Sequence, residues 1–65
     1  MIVEFECPND KLHSDVDYVD FDMEHVPRKG DTVELFNRDY EVGVVRWKPE
    51  VARNKVLVIL YWTED

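Results

Sequence analysis

Acidic side chains occupy alternate positions in the first part of the chain, and carboxylates are the groups here whose spacing could do chemistry. Asp20, Asp22 and Glu24 are separated by one residue each. In a strand, every second side chain lies on the same face, about 6.8 Å from the next. Pairing between the first two strands would add further carboxylates to that face. The sequence therefore predicts a carboxylate-lined, partner-binding surface with these members: Glu4, Glu6, Asp15, Asp17, Asp20, Asp22 and Glu24.

An array of carboxylates at this spacing has two interpretations. It can imitate the phosphates of nucleic acid and so block a protein that engages a phosphate backbone. It can also be a solvated strand face, kept acidic for solubility and to prevent edge-to-edge pairing. Because like charges in adjacent rows cost stability, the docking interpretation is kept beside the solubility one.

The charge of the chain is concentrated in its first part. The 65 residues carry a net charge of −7, with a pI near 4.6. Residues 1–25 hold eight acids against the single base Lys11, whereas residues 26–65 hold seven acids and seven bases. Proteins that read duplex DNA through its phosphates need a strongly positive surface. The composition therefore argues against duplex nucleic acid and favours a protein partner.

Other groups that could do chemistry lack the companions that such chemistry needs. The single Cys7 excludes an internal disulfide and a multi-cysteine zinc site, and His13 and His25 stand at no recognised ligand spacing. No glycine-containing calcium loop follows Asp15 and Asp17. The sequence therefore predicts neither an enzyme nor a metal or cofactor site.

The first two segments alternate in the manner of strands. Over residues 2–7, Val3, Phe5 and Cys7 share one side, and acids occupy the other. Residues 15–25 fit either a strand or a helix. Aspartates and β-branched residues are poor helix formers, so we favour a strand, with one extra residue forming a bulge near Tyr18.

Glycine and proline mark a turn and a strand irregularity in the middle of the chain. Gly30 allows a positive φ in a turn that begins at Pro27. A strand over residues 32–36, a tight connection at residues 37–39 and a return strand follow. Gly43 interrupts the alternation of that return strand, which indicates a bulge.

The last strand, residues 55–62, is apolar on both faces. A thin barrel buries only one face of such a strand. The other face is covered by the N-terminal segment, by a second copy of the chain, or by a foreign partner. Aromatic residues are frequent interface anchors. The residues predicted for such an interface are Leu57, Ile59, Tyr61 and Trp62.

Five short strands with no convincing helix predict an all-β fold: a small five-stranded antiparallel curved sheet or open barrel. We expect one domain over residues 1–65.

One pattern in the central region has a familiar form. The residues are spaced P-x-x-G-D-x-V…Y-x-V-x-x-V-x-W between Pro27 and Trp47. This pattern resembles the central hairpin of small barrels of the Src-homology and KOW kind, and it is similar to small uncharacterised proteins of phages and mobile elements. The resemblance covers roughly residues 26–60. It implies a barrel fold and a phage or mobile-element origin, and it implies no catalytic residue.

Taken together, these features predict a non-enzymatic, acidic binding module that docks on a host or defence protein, for example as an inhibitor that mimics nucleic acid. One alternative is a structural or self-assembling accessory protein, with a homodimer as its simplest form. Another is a small nucleic-acid or nucleotide binder that uses Arg46, Trp47 and Lys48. No apolar run approaches the 18 or so residues of a membrane span, and we expect a cytoplasmic location without a membrane partner.

Overall fold

The computed structural model describes residues 1–8, 12, 16–47 and 54–62. These residues form five strands and no helix. The strands pair in the order β2-β1-β5-β4-β3 and build one strongly curled half-barrel sheet. The prediction of an all-β fold is confirmed. The strands are β1 (Ile2–Glu6), β2 (Tyr18–Asp22), β3 (Thr32–Leu35), β4 (Arg38–Trp47) and β5 (Lys55–Trp62).

The sheet is mixed rather than purely antiparallel. β1 pairs with β5 in the parallel direction, from Ile2 opposite Lys55 to Glu6 opposite Ile59. The other three pairings are antiparallel. The first and last strands of the chain thus lie side by side, and β5 is the central strand. β2 and β3 form the two edges of the sheet.

The segment over residues 15–25 forms a strand between Tyr18 and Asp22, as favoured over a helix. The bulge expected near Tyr18 is wrong, because the β1–β2 register runs without a shift along the whole of β2. Val16, the residue whose phase suggested the bulge, precedes the strand and packs separately against the core.

The β3–β4 hairpin turns one residue earlier than the sequence predicts. Leu35 pairs with Arg38, so the loop consists of Phe36 and Asn37, with φ of 53° and 64°. Two central residues with positive φ are typical of the type I′ turn that joins twisted strands. Asparagine tolerates this geometry, but a phenylalanine there costs about 1–2 kcal/mol. Because phenylalanine is unusual in such a turn, the sequence predicts Phe36 in the strand and not in the loop.

The predicted bulge at Gly43 is confirmed. The pairing of β4 with β5 shifts between Val42 and Val44. The ring of Tyr61, on the neighbouring strand, lies directly over the Cα of Gly43, in the space that a Cβ would occupy. The glycine thus allows both the irregular pairing and the aromatic cover.

The inner face of the sheet carries the core. The hydroxyl of the fully buried Tyr40 donates a hydrogen bond of 2.9 Å to the carbonyl oxygen of Leu12. This bond connects Leu12, which lies between β1 and β2 in the chain, to β4. The buried side chains are Val3, Phe5, Cys7, Leu12, Tyr40, Val42, Val56, Val58 and Leu60.

We expect Gly43→Ala to lower the free energy of unfolding by about 1–3 kcal/mol, the usual cost of an added methyl group in a filled space. The physical cause is displacement of the Tyr61 ring, so the cost should vanish in a Tyr61→Ala background. Chemical denaturation of the four proteins of this double-mutant cycle measures both effects. An equal cost in both backgrounds would contradict the assignment.

Candidate acidic docking surface

The register of β1 against β2 brings four of the predicted acids onto one face. Glu4 lies opposite Asp20, while Asp22 lies opposite Ile2. Val3 and Phe5 are buried on the inner side, so the alternate residues of β1 and their cross-strand neighbours face outward. We call these four residues the acidic face: Glu4, Glu6, Asp20 and Asp22.

Glu4 and Asp20 form the closest like-charged pair of this face. The backbone N–H of Met23 donates to the carbonyl oxygen of Met1 at 2.8 Å, which makes Met1 and Met23 a hydrogen-bonded pair. Because such pairs alternate along an antiparallel ladder, Glu4 and Asp20 occupy a non-hydrogen-bonded pair, in which side chains approach most closely. Like charges in that position destabilise a sheet unless a cation lies between them.

Lys55 supplies that cation. Its Nζ lies 2.8 Å from Oε1 of Glu4 and 3.6 Å from Oδ2 of Asp20. The parallel β1–β5 pairing is what brings Lys55, the first residue of β5, to this place. The hydrogen bond to Glu4 raises the pKa of Lys55 above its ordinary value of 10.5. Desolvation opposes this rise, and the charges of Glu4 and Asp20 add to it.

The edge of the acidic face stays open to solvent. The amino-terminal ammonium of Met1 lies 3.0 Å from Oδ1 of Asp22, whose side chain is nevertheless 80% exposed. An ion pair this exposed contributes little to stability. Among the described residues, four carboxylates and two cations leave a formal charge of −2 on the acidic face. The acids of this face lie on both β1 and β2.

Two of the predicted acids lie outside this row, and a third belongs to the part of the chain that the structure does not describe. Asp17 precedes β2 and Glu24 follows it, and both are exposed. Glu24 was expected to continue the row of Asp20 and Asp22, but the strand ends at Asp22, so its alternation ends there as well. Asp15 lies outside the described residues.

The predicted interface strand is divided between the two faces of the sheet. Leu57 and Ile59 are half-buried on the outer face, and Tyr61 is 43% exposed there. Trp62 lies on the core side, where the Arg38 guanidinium stacks 4.3 Å from its ring centroid. β1 lies beside β5 and does not cover its outer face.

The alternative prediction of a nucleic-acid or nucleotide binder used Arg46, Trp47 and Lys48, and the two described residues of this set face opposite sides of the sheet. Arg46 pairs with Leu57 and faces outward, Trp47 pairs with the buried Val56, and Lys48 is outside the described residues. Trp47 is 56% exposed at the end of β4. It shares an open groove of about 600 Å³ with two cations that sequence reasoning missed; the lining residues are Val26, Pro27, Arg28, Lys29, Gly43, Val44, Val45 and Trp47.

The turn that carries these two cations is well ordered by hydrogen bonds. Gly30 adopts the expected positive φ, 93°. The Asp31 carboxylate accepts a hydrogen bond of 2.8 Å from the backbone N–H of Arg28, and the Asp31 N–H donates to the Arg28 carbonyl at 3.0 Å. The pattern between Pro27 and Asp31 predicted this turn, but nothing local in the sequence places it beside Trp47.

Within the described part of the chain, no group of three or more His, Cys, Asp or Glu side chains could hold a metal ion. The same residues contain no helix long and apolar enough to span a membrane. Comparisons with protein-family models, with curated proteins and with solved structures found no match to this chain.

We expect Lys55→Met to lower the unfolding midpoint, because Glu4 and Asp20 would then face each other without a cation. In an Asp20→Asn background the same substitution should cost less, since only one of the two carboxylates remains charged. Thermal unfolding followed by circular dichroism compares the four proteins. A loss that does not depend on residue 20 would contradict the part assigned to Asp20 in this interaction.

The raised pKa of Lys55 also predicts a pH dependence. A cation favoured by the folded state contributes its full stability below its unfolded pKa and loses it as pH rises through the higher folded value. The stability difference between the natural protein and Lys55→Met should therefore be constant at neutral pH and shrink above pH 10.5. Denaturant titrations at a series of alkaline pH values measure this difference; no shrinkage would contradict the ion pair.

Proposed function

We propose that this protein is a non-enzymatic binding module that docks on a basic surface of a host or defence protein. The acidic face is the docking surface. The observation that carries the proposal is the direct opposition of Glu4 and Asp20 beside the exposed Asp22. An arrangement that costs stability and needs a lysine to hold it is more than solubility requires.

The charge distribution supports a basic partner. Counted over the described residues, the acidic face and its two cations have a formal charge of −2, and exposed Asp17 and Glu24 flank it at either end of β2. Complementary charge steers association and selects among partners, even where each exposed pair adds little affinity. A protein surface that normally engages phosphates has this complementary character, so nucleic-acid mimicry is the specific form we propose.

Affinity capture from a bacterial lysate tests the docking surface. We expect Asp20→Asn/Asp22→Asn to weaken capture of a specific partner at least about tenfold, equivalent to about 1.4 kcal/mol. The matched control is Asp39→Asn/Glu41→Gln, which changes the net charge equally but lies on β4, away from the acidic face. The control should keep the partner. Raising the salt from about 0.05 M to about 0.5 M should release it, because exposed charges are then screened.

A partner that binds the Asp20/Asp22 variant as well as the natural protein would overturn the proposal. The mimicry form has its own measurement: added double-stranded DNA should displace the captured partner. A partner that holds DNA and this protein at the same time contradicts mimicry and leaves docking through the acidic face in place.

A second candidate function is binding of single-stranded nucleic acid or a nucleotide in the Trp47 groove. The specific observation is an exposed tryptophan that shares one groove with Arg28 and Lys29. Stacking of a base on an aromatic ring contributes about 1–3 kcal/mol, and the cations would contact phosphate.

Titration with a labelled single-stranded oligonucleotide at low salt tests this second function. We expect Trp47→Ala and Arg28→Ala each to weaken binding about tenfold or more, within the range known for base stacking. Arg46→Ala is the control, because Arg46 is adjacent in sequence but lies on the opposite face. Absence of binding to the natural protein would exclude this function.

Self-association through Leu57, Ile59 and Tyr61 stays a prediction, which light scattering at high concentration checks.

A further inference from the structure

We propose that the partner binds by strand addition, with an extended segment of alternating apolar and basic residues inserted into the seam between β2 and β3. This inference rests on the proposed function, because it specifies how a basic partner would meet the acidic face. The seam is the gap between the two edge strands of the half-barrel.

The seam is too wide for β2 and β3 to pair with each other directly. Hydrogen-bonded strands lie about 4.7–4.9 Å apart, so the two strands flanking an inserted strand lie about 9–10 Å apart. No Cα atom of β2 comes within 8 Å of a Cα atom of β3. The two edges nevertheless line one groove of about 280 Å³, which is bordered by Phe5, Phe21, Asp22, Met23, Val33, Glu34 and Leu35. The edges therefore face each other across a gap too wide for direct pairing.

The floor of the seam is apolar and already exposed. Phe21 belongs to the inner phase of β2 and packs edge-to-face on Phe5, with ring centroids 6.0 Å apart, yet it is 41% exposed. Met23 and Val33 also line an adjoining groove of about 480 Å³ that extends toward Val26. The apolar side chains of an inserted strand would cover these residues and complete the core.

Both edges direct backbone groups into the seam. The Met1–Met23 hydrogen bond sets the alternation of β2, so the N–H and C=O groups of Asp20 and Asp22 point away from β1. Gly30 donates to the Val42 carbonyl at 2.8 Å, and Val42 donates to the Asp31 carbonyl at 2.9 Å. By the same alternation, the groups of Thr32 and Glu34 point away from β4. Among the described strands, β2 pairs only with β1 and β3 pairs only with β4, so the other side of each strand is open.

The charges beside the seam favour insertion of a basic segment. The outward side chains at the edges include Asp20 and Asp22 on β2 and Glu34 on β3. Lysine or arginine at alternate positions of an inserted strand would lie between them and gain cross-strand pairing. A second copy of this chain would instead bring one of its own acidic edges, and like charges would repel it. The occupant is therefore a foreign, basic strand.

Hydrogen exchange measured by NMR tests the inference with a defined probe. The probe is a synthetic peptide of alternating valine and lysine, and its control is the same peptide with N-methyl groups on all of its backbone nitrogens, so that neither side can pair. Charge and side chains are unchanged in the control. We expect the peptide to slow exchange at the amides of Asp20, Asp22, Thr32 and Glu34 at least about tenfold, as new hydrogen bonds protect them, and the control to leave it unchanged.

A charge-neutral variant gives an independent measurement. Thr32 is exposed at the start of β3, where proline would remove an outward N–H without breaking the β3–β4 ladder. We expect Thr32→Pro to weaken peptide binding about threefold to tenfold, the value of one hydrogen bond. Thr32→Val keeps the N–H and should bind like the natural protein.

Three results would overturn strand addition. In the first, the peptide binds in a salt-sensitive way without protecting the edge amides, and Thr32→Pro binds equally well. In the second, neither peptide binds, although capture of a partner still depends on Asp20 and Asp22. Both leave the proposed function in place. In the third, the edge amides are protected without peptide, and this protection increases with protein concentration, which means that a second copy fills the seam.

A different result would overturn the proposed function alone: the peptide protects the edge amides, but capture of the partner does not depend on Asp20 and Asp22.

Discussion

The parallel pairing of β1 with β5 is the constraint on which the rest of the structure depends. It joins the first strand of the chain to the last, and it gives β5 a neighbour on each side. A strand that is apolar in both phases suits that central position, where Val56, Val58 and Leu60 are fully buried. The same pairing leaves β2 and β3 without outer neighbours among the described strands, so a half-barrel results instead of a closed one.

The electrostatics of the acidic face follow from that pairing. β1 holds Glu4 opposite Asp20 through its antiparallel contact with β2, and it holds Lys55 nearby through its parallel contact with β5. The lysine offsets the repulsion at the most crowded pair and leaves the outer edge negative. Acidic edge strands are a known means of preventing sheets from joining edge to edge. In this protein, the same charges would also select a basic segment from a partner, so protection and recognition need not conflict.

The surface of the molecule carries three unlike features, two of which, the acidic face and the seam, meet at Asp22. The acidic face lies on the outer side of β1 and β2, the seam opens between β2 and β3, and the Trp47 groove lies against the turn that contains Arg28 and Lys29. The net charge of −7 therefore does not describe every part of the surface.

The alternation of side chains determined much of this protein from sequence alone. It located the strands and assigned Val3 and Phe5 to the core, and glycine and proline indicated the turn at Gly30 and the bulge at Gly43. Those features depend on covalent neighbours and on backbone geometry. Only the tertiary structure decided that β1 runs parallel to β5, that Lys55 meets Glu4, that Glu24 falls outside the strand, and that Trp47 joins Arg28 and Lys29. Contacts between residues far apart in the chain depend on how whole strands pack, and a two-residue period carries no information about which strands become neighbours.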